Sequence, residues 1–221
     1  CHMKPSGADQ ACSVQVPELK RPAGDVRSHT FPGTTLEFLQ KAVRLGLEAA
    51  REGDQLRVSV EVENDSTGHH VPTGVTIRNV ILLVEAWQEP GSTPLEPLGD
   101  QRVHELGGVG DPSQGYYAGL PGKLFAKVNH DAQGAAPTFF TEATGITWDT
   151  RIAPLATDRT EYAFSIPSGA TAVRVRARLI YRRSWRALVD AKQWTTDGHG
   201  QPLADLQAPH FGALMEQAEA T

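Results

Sequence analysis

From Val173 to Tyr181 apolar residues occupy every second position, Val173, Val175, Ala177, Leu179 and Tyr181, while Arg174, Arg176 and Arg178 alternate with them and Arg182 follows. A strict period of two sends neighbouring side chains to opposite faces of a pleated strand, so the stretch predicts a strand with one apolar and one cationic face. The arginine face is expected to be solvated or to meet anions. Leu56, Val58, Val60 and Val62 alternate in the same way with Arg57, Ser59, Glu61 and Glu63. Ile77 to Trp87 is largely apolar and reads as a returning strand packed on both faces. Weaker strand signals lie at 102–106, 123–129, 137–143 and 161–166. Short strands joined by Gly/Pro turns, without alternating helices, predict a mainly β chain: an antiparallel β-sandwich rather than a parallel α/β sheet.

The rest divides around that sandwich. Residues 1–33 are rich in Pro, Gly and polar side chains and show neither period, which predicts an extended segment that relies on neighbours for order. Thr34 and Glu37 form a capping box, and Leu36, Leu39, Val43 and Leu47 follow at helical spacing before Gly53, so one amphipathic helix is expected over 34–53. The sandwich, of the immunoglobulin or fibronectin type III kind, is assigned to 54–185. The stretch 186–221 reads as a tail, partly helical and loosely attached.

Composition narrows the function classes. Among 221 residues, 21 Lys+Arg stand against 26 Asp+Glu for a net charge of −5, and no basic block exists that would neutralise phosphates, so nucleic acid is excluded as a partner. The longest apolar run, Val80 to Val84, is far short of the roughly 18 to 20 residues that cross a bilayer. The two cysteines, Cys1 and Cys12, are too few for a disulfide framework or a four-thiolate metal site, and Cys12 has no assigned role.

Eight histidines are the main chemical resource: His2, His29, His69, His70, His104, His130, His199 and His210. None forms a His-Glu-x-x-His zinc pattern, and no nucleophile elbow, phosphate loop or dinucleotide fingerprint is present. Gly107-Gly108-Val109-Gly110 lacks the strand and helix such a fingerprint needs and reads as a flexible turn. In Thr67-Gly68-His69-His70-Val71-Pro72-Thr73-Gly74 the two histidines point opposite ways on an extended backbone, so at most one can serve a metal. One reading is a buried imidazole bonded to backbone that fixes the loop; the other is a contact to copper or haem iron. An enzyme built on His69 alone ranks last, because no ligand set accompanies it. Asp149 and Arg151 read as a strand-end ion pair or a turn-forming pair. The scattered carboxylates give general acid–base catalysis no specific support, and the segment itself is read as non-catalytic.

Three accounts fit Cys1-His2-Met3: the tail of a Cys-x-x-Cys-His haem-attachment site, the first residue of a bacterial lipoprotein, or a remnant of cloning. Taken in order, Cys1-His2-Met3, Arg27-Ser28-His29-Thr30-Phe31-Pro32-Gly33, Gly68 to Gly74, and Asp149-Thr150-Arg151-Ile152-Ala153-Pro154 resemble the C-terminal portion of bacterial multihaem c-type cytochromes. The resemblance spans nearly the whole chain, although each motif alone is short. It implies that residues 1–33 are a haem-proximal segment, that Cys1 is the second thioether-forming cysteine of a haem c, and that His2 is its proximal iron ligand. It further implies that His29 is a distal axial ligand, with the role of His69 open. Two imidazoles suit a low-spin iron that only passes electrons. The first cysteine of the attachment site and every other haem motif are absent from this sequence.

The implied function is electron transfer by the C-terminal part of an extracytoplasmic multihaem cytochrome, periplasmic or extracellular, whose sandwich caps or docks haem-bearing portions. Its implied partners are other haem-bearing segments or cytochrome subunits, within a homo-oligomer or larger redox complex. The alternative from a different class is a haem-free β-sandwich binding or adhesion module, lipid-anchored at Cys1.

Overall fold

Gly53 and Asp54 form a two-residue turn in which Gly53 takes φ = +65°, a conformation that glycine adopts without the Cβ penalty. That turn folds Arg44–Glu52 (β1) back along Gln55–Glu63 (β2) in unbroken antiparallel register. The helix expected over 34–53 is therefore corrected. Within that stretch only Leu36–Leu39 (α1) is helical; Val43 is buried just before β1, and Leu47 belongs to that exposed edge strand. The physical reason is that tertiary pairing overrides helical periodicity, helped by Gly46, which is poor in a helix interior and stands opposite Glu61 in the ladder.

This computed structural model describes residues 3–9, 17, 20–22, 24–28 and 33–221. The chain divides into two compact units, Cys1–Leu39 and Gln40–Thr221. In the first, the described backbone near the start runs antiparallel to 26–28. Pro5 bridges Arg27, Ser28 N–H donates to the Lys4 carbonyl at 2.8 Å, and Ser6 N–H to the Val26 carbonyl at 2.9 Å.

The second unit holds the sheets. After β2 come Asn79–Glu89 (β3), Thr93–Pro94 (β4), Glu96–Leu98 (β5), Gly122–Phe125 (β6), Lys127–His130 (β7), Gly145–Asp149 (β8), Thr157–Ser165 (β9) and Ala172–Arg182 (β10). Arg186–Lys192 (α2) and Ala213–Ala220 (β11) complete it. One sheet has the order β1-β2-β9-β5; the other is β11-β10-β3-β4, with β6 also on β3; β7 and β8 form a separate hairpin. The pairings are antiparallel, as the period-two patterns require, and the sandwich expectation holds. Val58, Val60 and Val62 of β2 are buried on one face, as are Val175, Ala177 and Leu179 of β10.

The second face of β3 and β10 is also covered. Ile81, Leu83 and Ile180 pack with Val103, Tyr117, Leu124, Ala126, Val128 and Trp185, so the irregular chain between β5 and β6 is a lid over the sheet. Arg182 fastens this lid. It is 1% exposed and donates to the carbonyls of Phe211 (2.7 Å), Gly107 (2.9 Å) and Gly115 (2.6 Å), with its guanidinium 4.8 Å from the centre of the Tyr117 ring. Burial pulls its pKa down to about 10, which still leaves it charged at neutral pH. The stretch from Gly107 to Gly110 is thus no flexible turn: a Cβ on Gly107 would lie 2.5 Å from Val103, and one on Gly110 2.8 Å from the Tyr116 ring.

Three further expectations change. The stretch 123–129 splits at Ala126 into β6 and β7, which belong to different sheets. The stretch 137–143 is a turn that carries the exposed Phe139 and Phe140 rings, tilted at 42° to each other. The stretch 186–221 contains α2, but it ends as β11, hydrogen-bonded along β10.

Candidate functional site

The two motifs that stand out in the sequence, Gly68 to Gly74 and Asp149 to Pro154, meet in the structure through Asn64. Asn64 lies where β2 ends and is fully buried. Its backbone N–H donates to Ala156 (3.0 Å), and its carbonyl accepts from Leu155 N–H (2.8 Å). Its side-chain Nδ2 donates to the carbonyls of His69 (2.9 Å) and Ile152 (3.1 Å), while Oδ1 accepts from Thr67 N–H at 3.3 Å. The Thr67 hydroxyl lies 2.6 Å from Asn64 Oδ1 and 2.8 Å from the His69 carbonyl. Val71 and Ile152 then exchange backbone bonds of 2.9 Å, both residues buried. The histidine loop is therefore held from below by a satisfied polar network.

On this base His69 is half-buried and His70 exposed. His69 Nδ1 stands 3.1 Å from the His70 carbonyl. A carbonyl only accepts, so Nδ1 is the donor in this contact. The bond to backbone expected of this loop is present, on an imidazole that is half-buried rather than buried.

Asp149 and Arg151 close the other motif as a two-pronged pair. Arg151 Nε donates to Oδ1 at 2.9 Å, Nη2 to Oδ2 at 2.6 Å, and Arg151 N–H to Oδ1 at 3.1 Å. The Arg151 side chain holds the Asp149 carboxyl below the usual carboxylate range, and the nearby charge of His70 pulls the same way. Thr150 bolts the motif to the sheet: its hydroxyl donates to the Leu124 carbonyl at 2.8 Å and accepts from Ala126 N–H at 3.1 Å.

The arginine row of β10 does not face open solvent. Arg174 pairs with Glu89 at 2.6 Å, and Arg176 and Arg178 both reach Glu85 Oε2, at 3.2 Å and 2.9 Å. It meets anions of its own sheet. His104 accepts from Leu106 N–H through Nδ1 (3.2 Å), and His130 lies 3.3 Å from the Thr147 hydroxyl. Among the described residues no group of three or more His, Cys, Asp or Glu can hold a metal ion, and no helix is long and apolar enough to cross a membrane. Cys1, His2, His29 and Cys12 lie outside the described residues. Sequence reasoning missed Asn64; its signal was the Asn64-x-x-Thr67 spacing at a strand end, which favours a side-chain-closed turn.

No protein-family model matches this chain, and no curated protein matches it. Among solved structures, the crystal structure of a penta-heme cytochrome c552 from Thermochromatium tepidum aligns with 95% of this chain at a TM-score of 0.62 and 24% identity. The match covers 48% of that protein, so the chain spans about half its length. At this identity the likeness establishes a shared fold.

Proposed function

We propose that this chain is the β-rich portion of an extracytoplasmic multihaem c-type cytochrome and serves electron transfer, its sandwich docking against haem-bearing segments or subunits. The observation that carries the reading is the fold shared over 95% of the chain with a penta-heme cytochrome; the four sequence motifs that resemble those of multihaem cytochromes agree with it. A haem c, when bound, supplies a one-electron iron couple. Cys1 would hold it by a thioether, His2 would ligate its iron, and His29 would ligate that iron or the iron of a neighbouring haem.

Two features of this chain support that assignment. The antiparallel contact of residues 4–6 with 26–28 joins two segments whose next residues in sequence are Met3-His2 on one side and His29 on the other. The His69 ring meets the His70 carbonyl through Nδ1, and Asn64 and Thr67 hold the His69 carbonyl, so the loop that carries the motif histidine is fixed by its own hydrogen bonds. A rigid loop suits a redox site, because fixed ligand positions tune the potential through geometry and burial.

The test is an alkaline pyridine haemochrome spectrum of the natively produced protein, with mass spectrometry of the peptide that carries Cys1. A c-type spectrum and a haem adduct are expected. A colourless protein with a diacylglyceryl mass on Cys1 would replace the reading with that of a lipid-anchored binding module.

A further inference from the structure

The edge of β3 away from β10 is paired twice, with β6 along Val80–Leu83 and with β4 at Trp87 and Gln88. Between these ladders the neighbouring chains splay. Val84 N–H reaches the Pro121 carbonyl and Leu95 N–H reaches the Ala86 carbonyl, each at 2.9 Å. A cleft of about 580 Å³ opens at the gap, walled by Trp87, Leu95, Leu120, Phe164, Pro97 and Pro121. That volume falls in the range of small-molecule sites. Glu85, Ser92 and Arg176 also line it, but the prolines have no N–H and most of the wall is apolar, so water inside finds few partners and a flat apolar body is favoured over it.

One wall is charged. Arg176 lines the cleft with its guanidinium 5.3 Å from the centre of the Trp87 ring. It shares a single carboxylate oxygen, Glu85 Oε2, with Arg178, whose Nε and Nη2 lie at 3.0 and 2.9 Å. Glu219, opposite Arg176 in the ladder, turns instead to Arg174 (3.9 Å) and Gln217 (3.2 Å), and Glu89 is also on Arg174. Two carboxylates thus serve Arg174, and one serves both Arg176 and Arg178. Arg176 Nε, like Arg174 Nε, is buried and has no hydrogen-bond partner among the described residues.

We infer that this cleft binds an amphipathic carboxylate, its flat apolar body between Trp87 and Phe164 and its anionic group on Arg176. A carboxylate completes the under-neutralised guanidinium, and the apolar walls exclude inorganic anions that lack a hydrophobic body. The site is independent of the haem reading and stands or falls separately from it.

Calorimetric titration of the full chain with naphthalene-2-acetate, and with its neutral amide as control, tests the inference. The acetate is expected to bind about tenfold more tightly than the amide, the value of one charge-assisted contact. Arg176→Gln should erase that preference, and Glu85→Gln, which frees both guanidiniums, should tighten acetate binding. Opposite signs in the two variants cannot come from a damaged fold. Absence of acetate binding to the unaltered chain, equal affinity for acid and amide, or an unchanged preference in Arg176→Gln would each overturn the site.

Discussion

The Asn64 side chain joins its own histidine loop to Ile152, 88 residues further along the chain, since it donates to Ile152 as well as to His69. Asn64→Ala removes both donors and the acceptor for Thr67, and it leaves the Ile152 carbonyl with the Val71 N–H alone of its two bonds. A loss of about 2 to 4 kcal/mol is expected in urea unfolding, with faster amide exchange at His69 to Val71. Asp149 predicts a pH dependence. Its folded-state pKa is depressed by Arg151, so the pair contributes stability above the ordinary carboxylate pKa and loses it as pH falls through the lowered value. Partial exposure to solvent screens the pair and holds the contribution to about 0.5 to 1 kcal/mol. Asp149→Asn should therefore cost that amount at pH 7, and the two stability curves should merge at the acid end; parallel curves would assign the carboxylate no such role. Both motifs were legible as residues of special chemistry because His, Gly, Pro and paired charges announce themselves locally. Their meeting point was not, because a buried asparagine carries no periodic signal and its partners lie far along the chain.

At the level of elements, legibility follows burial. The strands β2 and β10 show alternation because one face of each is packed on the core, and β3 reads as solidly apolar because both of its faces are covered. The strand β1 is almost wholly exposed, with only Leu45 and Leu47 half-buried, so nothing selects an alternating pattern and the helical spacing of its leucines misleads. The mostly exposed strand β8 was silent for the same reason. At 137–143 the error ran the other way: two aromatics imply a strand by propensity, yet they sit exposed on a turn. Pairing between elements is sharpest at Gly122, whose φ is +155° and where a Cβ would lie 2.0 Å from the Leu82 carbonyl oxygen. Gly122→Ala must push β6 off β3, because backbone cannot yield as a flexible side chain would. A loss of about 3 kcal/mol or more in the denaturant midpoint is expected, while Gly53→Ala, in open space at a hairpin turn, should cost only about 1 kcal/mol of backbone strain. Equal costs at the two glycines would mean that the β3–β6 contact is looser than it stands here.

For the second unit as a whole, the arrangement of layers decides which part of the chain is dispensable. The sheet of β3 and β10 is a central layer, with the first sheet on one side and the lid fastened by Arg182 on the other. Sequence reasoning found the sandwich but missed the lid, because Pro- and Gly-rich chain has no period, and its order comes from carbonyls gathered on one buried guanidinium. It also took the last residues for a loose tail, whereas β11 covers the full edge of β10 from Val175 to Tyr181 and buries Met215. Those two views predict opposite results for a chain ending at Gly212. A loose tail could be cut without effect. Removing β11 withdraws about 2 kcal/mol of burial at Met215 alone and bares the long edge of β10, where Ala177 and Leu179 lie in the core. The shortened chain is expected to bind a hydrophobic dye, lose its cooperative urea transition and elute as aggregates in size-exclusion chromatography. If it remains monomeric with an unchanged midpoint, β11 is an accessory strand and the closure of this sheet lies elsewhere.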